Sequence, residues 1–100
     1  MPTFYYSSLA EADLYELLEF IARDNVEAAL RVEEAIESTA QNLADNPDIG
    51  HPMKSRFPHL QAFSVQPYND YILFFQVEED GIYIQRILHG ARDLSSLLNT

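Results

Sequence analysis

Apolar residues recur with two different periods in this chain, a helical one in the first half and a strand-like one in the second. Thr3-Phe4-Tyr5-Tyr6 is β-prone and predicts a short opening strand. Ser8-Leu9-Ala10-Glu11 matches a capping box, in which Ser8 and Glu11 satisfy free amides at a helix start. Leu14, Leu17, Leu18 and Ile21 follow at i, i+3, i+4, i+7 spacing, so one face of this helix is apolar. It is predicted to end near Arg23-Asp24. Asn25 then caps a second helix, in which Ala29, Val32, Ile36 and Leu43 recur close to one face. Asn46-Pro47 stops that helix, because proline disfavours a helical residue before itself. Two long helices with so short a link predict an antiparallel hairpin.

A polar, proline-punctuated loop, Asp48 to Lys54, separates the hairpin from three strand-like runs. These cover about residues 60–66, 71–78 and 82–88. Pro67-Tyr68-Asn69-Asp70 suits a turn, and Asp80-Gly81 is a strong hairpin signal. The run Tyr71-Ile72-Leu73-Phe74-Phe75 is apolar on both faces, which marks a central strand. Helices cover one face of such a sheet, so the other needs a C-terminal segment or a partner. Asp93 to Leu98 suits a short helical cap. The predicted fold is α+β in the order β-α-α-β-β-β: an N-terminal strand, an antiparallel helical hairpin, a three-stranded antiparallel meander and a short C-terminal helix. A length of 100 residues fits one domain over 1–100.

Composition narrows the chemistry. There is no cysteine, so disulfides and thiolate metal sites are excluded, and a reducing cytoplasm is the expected location. No apolar stretch approaches the ~20 residues of a membrane span, and no signal-peptide pattern opens the chain. The net charge of −10 is uneven: residues 1–50 carry 11 acidic and 2 basic side chains, residues 51–100 carry 5 and 4. The acidic half repels nucleic acid, whose binding depends on Lys and Arg displacing counterions. Glu19 and Arg23, and Glu27 and Arg31, stand in the favourable i, i+4 orientation, whereas Glu33 and Glu37 are like charges at that spacing. Such an acidic face reads either as a solvated surface or as a docking surface.

The run Ile84-Gln85-Arg86-Ile87-Leu88-His89-Gly90-Ala91-Arg92-Asp93 resembles the terminal strand and exit of ParE-like toxins, in the RelE/ParE superfamily. Asp13-Leu14, Ile21-Ala22, Asp24-Asn25, Ala28-Ala29 and Arg31 resemble that family's helical hairpin, and Leu43 to Gly50 its helix end and loop. The segments occur in the family's order across almost the whole chain. The resemblance implies a type II toxin, encoded beside a ParD-like antitoxin whose tail folds as it wraps the toxin in a hetero-oligomer. For the ParE branch the implied target is DNA gyrase, trapped on broken DNA by protein binding. The RelE branch instead cleaves ribosome-bound mRNA, and a non-toxic interaction module of the same fold is the third reading.

Residues must choose between these readings, because fold alone does not. Metal-free RNA cleavage needs a base, an acid and converging cations. RelE-like enzymes are implied to supply Lys and Arg on the concave side of the sheet, with a Tyr or His near the C-terminus. Here Gln61 stands where the family commonly has arginine, and no tyrosine follows Tyr83. The expectation is a binding toxin with no catalytic residues, no cofactor and no direct sequence-specific nucleic-acid binding. Arg86, His89, Arg92 and Asp93 are the candidates for target or antitoxin contact. His89 reads alternatively as a general acid beside Arg86, or as a strand end bonded to backbone or to Asp93. Arg92 reads as a binding residue or as the salt-bridge partner of Asp93. His51 and His59 lack ligand spacing, so no metal is expected. Tyr68 and Tyr71 read as packing residues before base-stacking ones. The acidic hairpin predicts an antitoxin tail carrying Lys or Arg opposite Glu16, Glu33 and Glu37, with apolar anchors in the groove between sheet and hairpin.

Overall fold

The computed structural model describes residues 2–53, 59–90 and Asp93. Its elements run β1 (Thr3–Tyr6), α1 (Ser8–Ala22), α2 (Val26–Asp45), β2 (His51–Pro52), β3 (Gln61–Ser64), β4 (Tyr71–Glu78) and β5 (Gly81–His89). One 3-10 turn over Pro47–Ile49 follows α2. The strands form one sheet in the order β1-β5-β4-β3-β2. β1 runs parallel to β5 and the other pairs are antiparallel. The α+β class and the β3-β4-β5 meander are as expected. The sheet nevertheless has five strands, because His51–Pro52, placed in the loop by sequence, pairs with Ala62 and Gln61. The short C-terminal helix expected from Asp93 onward lies, apart from Asp93, outside the described residues.

Local signals place the helices. Ser7, one residue earlier than expected, is the N-cap of α1: its backbone is extended and its hydroxyl accepts from the Ala10 amide at 3.0 Å. The box between Ser8 and Glu11 therefore does not form. Ser7 wins the position because its hydroxyl also donates to Gln85 O at 2.7 Å, tying the helix start to β5. Asn25 caps α2 as its sequence suggests, accepting from Ala28 N–H at 3.0 Å. Glu19 pairs with Arg23 at 3.1 Å on the exposed surface, whereas Glu27 and Arg31 form no ion pair.

The core lies between the hairpin and one face of the sheet. Ala10, Val32, Ile36, Ala40, Leu43 and Ala44 meet Val65, Leu73, Phe75, Ile82, Ile84 and Ile87. The α2 stripe read from sequence is buried, while Leu14, Leu17, Leu18 and Ile21 of α1 pack half-buried against the cluster. Phe74, outside that cluster, is 1% exposed, so β4 buries both its faces. No helix among the described residues is long and apolar enough to cross a membrane.

Two positions turn this packing into expected measurements. Gly81 closes the two-residue turn at Glu79-Asp80 and has φ +148°, a conformation side chains rarely adopt. Any Cβ there would also overlap the backbone oxygen of Thr3, its β1 partner. Gly81→Ala is therefore expected to lower stability in urea by at least about 1–3 kcal/mol from backbone strain alone. Gly90→Ala meets the flexible end of Ile72 and should cost less. Equal losses would contradict the close β1 contact. Tyr6 carries a buried hydroxyl with no hydrogen-bond partner among the described residues. Burial, then the charges of Glu37 and Glu33, push its ionisation from the ordinary 10.0 up to about 12. The unfolded chain ionises first, so this share of stability is present below pH 10 and lost as pH rises towards 12. Tyr6→Phe should flatten that decline in melts at successive pH values; an unchanged slope would contradict it.

Candidate functional site

Beyond the last β1 pair, Tyr6 with Ile84, no strand among the described residues continues along that edge of β5. Exposed strand edges need partners for their backbone groups. Side chains supply them here. The Ser7 hydroxyl donates to Gln85 O, the Asp13 carboxylate accepts from Ile87 N–H at 3.0 Å, and Asp93 accepts from His89 N–H at 3.0 Å. The same stretch holds a bulge. Phe74 stands opposite Arg86 and Phe75 opposite Ile84, leaving Gln85 as the extra residue. Bulges re-aim side chains, and this one sits beside Arg86.

Arg86 reaches α1 rather than solvent. Its Nε donates to Asp13 Oδ2 at 2.8 Å and its Nη2 to Oδ1 at 3.0 Å, a two-point fork. With Ile87 N–H, Asp13 thus accepts three hydrogen bonds from β5. The Asp13 hydrogen bond, outweighing desolvation and aided by the charges of Asp13 and Asp93, raises the Arg86 pKa above its ordinary value. The guanidinium stays charged and oriented.

Around this latch lies an open cleft of about 1120 Å³ between α1 and the ends of β4 and β5. Glu16, Phe20 and Arg23 line the helical side; Tyr71, His89 and Asp93 line the sheet side. The His89 ring meets Tyr71 edge-on, with centroids 5.6 Å apart at 86°. Of the residues singled out by sequence, Arg86, His89, Asp93 and Glu16 come together here. Glu33 lines a separate groove on the outer side of the hairpin, and Glu37 lies one turn further along α2. Arg92 lies outside the described residues. Gln61 sits on β3 opposite Phe75, away from the cleft lining. His51 stacks on Phe63, and no metal-binding cluster of three or more side chains occurs among the described residues.

Two cleft residues fall outside the candidates expected from sequence: Asp13, and Tyr71, expected to serve in packing. Asp13 had a legible signal. It lies four residues before Leu17, so it flanks the apolar stripe of the first helix, where a carboxylate needs a partner.

Comparison with known proteins supplies an independent line. The family model described as the ParE toxin of the type II toxin-antitoxin system, parDE, matches residues 4–94. Among solved structures, the chromosomal ParDE toxin-antitoxin system of P. aeruginosa superposes with TM-score 0.71 at 21% identity, covering 89% of this chain and 96% of that one. The E. coli DinJ-YafQ toxin-antitoxin complex superposes with TM-score 0.55 at 16% identity, covering 90% and 93%. At these identities the likeness is one of fold. No curated protein gives a significant match.

The latch makes its own prediction. Asp13→Ala and Arg86→Ala should each lower stability by about 1.5–3 kcal/mol, the scale of hydrogen bonds to charged groups. A double-mutant cycle in urea should show coupling of about 1 kcal/mol or more. Additive losses would mean that the two side chains do not act on each other.

Proposed function

The chain belongs to the ParE toxin family of type II toxin-antitoxin systems, and from that premise we propose that it inhibits DNA gyrase by protein binding and is neutralised by a cognate ParD-like antitoxin. The observation that carries this reading is the commitment of Arg86 to Asp13. Phosphoryl chemistry without a metal needs cations that converge on the transferring group. Of the described cations lining the cleft, Arg86 is held by Asp13 and Arg23 pairs with Glu19. Glu16 and Asp93 add negative charge to the same walls. Such a lining disfavours a phosphodiester backbone. Its mixture of aromatic, apolar and charged side chains suits a polypeptide instead, in a cytoplasmic hetero-oligomer with the antitoxin.

Ribosome-dependent mRNA cleavage, the activity implied by the RelE branch, is the competing outcome of one experiment. The chain is expressed alone in bacteria while growth, covalent gyrase–DNA complexes and mRNA integrity are followed. Growth arrest with trapped gyrase–DNA complexes and intact messages is expected, reversed by co-expressing the adjacent antitoxin. Fragmented messages without gyrase complexes would replace this reading with the nuclease one. Unimpaired growth would leave the chain an interaction module.

A further inference from the structure

A second depression, of about 320 Å³, lies on the outer side of the helical hairpin. Tyr15, Leu18 and Ala22 of α1 face Val26, Ala29 and Leu30 of α2 across it, and Glu19 and Glu33 complete its lining. Tyr15 is 71% exposed, Val26 61% and Leu30 58%. Three large apolar side chains gathered around one groove form a patch that core packing does not explain. Tyr15 and Glu19 also line the cleft between α1 and β5, so the two depressions meet across α1. Phe20, 62% exposed, stands on the cleft side of that ridge.

Charge selects the occupant. Between Ser8 and Asp45 the hairpin carries ten carboxylates and two arginines, and Arg23 is already paired with Glu19. A second copy of this chain would bring the same acidic rim onto the same patch, and like charges across an interface are strongly unfavourable. Nucleic acid is repelled for the same reason. A cationic polypeptide is attracted.

We propose that the hairpin groove docks a basic amphipathic segment of a partner protein, its apolar side seated between Tyr15 and Leu30 and its Lys or Arg side chains set against Glu19, Glu33 and Glu16. Apolar anchors one helical turn apart would fill the groove, as an amphipathic helix fills a hydrophobic channel. The inference rests on the protein-binding reading above. To the basic tail expected from sequence it adds the hairpin groove that seats the apolar side, with Glu19 in place of Glu37 on its rim.

The test titrates the full chain with two fluorescent synthetic peptides. Both carry leucines at helical spacing; one has lysines on its flanks and its twin has glutamates. The lysine peptide should bind, more weakly at high salt, and the twin should not. Tyr15→Ser and Leu30→Ser should each weaken binding about tenfold or more, as for central interface anchors. Glu19→Lys with Glu33→Lys should reverse the preference, and circular dichroism checks that each variant is folded. Equal binding of both peptides, binding of neither, or a dimer of this chain that Leu30→Ser dissociates would overturn the proposal. Selective peptide binding without growth arrest upholds the groove while rejecting gyrase inhibition. Growth arrest without charge-selective binding rejects the groove alone.

Discussion

Asp13 joins α1 to β5 through the Arg86 fork and the Ile87 amide. β5 is the hub of the fold: it pairs with β1 on one side and β4 on the other, and α1 packs against it. Where β1 runs out, the backbone groups on its edge are taken by Ser7, Asp13 and Asp93. The helical hairpin is thereby fixed to the strand whose far end shapes the cleft. A bidentate charged pair, 14% and 32% exposed at its two side chains, retains more strength than a surface ion pair would.

That constraint shapes function in two ways. Along this stretch of β5 an edge already occupied by side chains is a poor template for strand addition. The same bond withdraws Arg86 from chemistry on a ligand. A fold shared with both the ParDE and the DinJ-YafQ toxin-antitoxin systems is compatible with more than one activity. What differs between such activities is which charges are left to act, and in this cleft the two described arginines are each answered by a carboxylate.

Much of the architecture was legible because the signals were local. The i, i+3, i+4, i+7 spacing of α1, the cap at Asn25, the stop at Asn46-Pro47 and the Asp80-Gly81 hairpin each act over a few residues. The two-sided apolar run at Tyr71–Phe75 announced the central strand. Long-range pairings were less legible. Ser7 outcompeted Ser8 as a cap through a bond to Gln85, 78 residues away, and His51–Pro52 became a strand only because β3 offered an edge. For the site, Arg86, His89, Asp93 and Glu16 were read from resemblance and charge. Asp13 was not: its place beside the apolar stripe of α1 shows that it needs a partner, but the partners, Arg86 and Ile87, are 73 and 74 residues away.

The most direct test of this account observes the Arg86 guanidinium itself. In nuclear magnetic resonance spectra of the free protein, the Arg86 Nε–H should exchange slowly with water and lose that protection in Asp13→Asn, while the exposed Arg31 exchanges rapidly in both. An Arg86 signal as labile as that of Arg31 in the unmodified chain would contradict it, returning a free cation to the cleft.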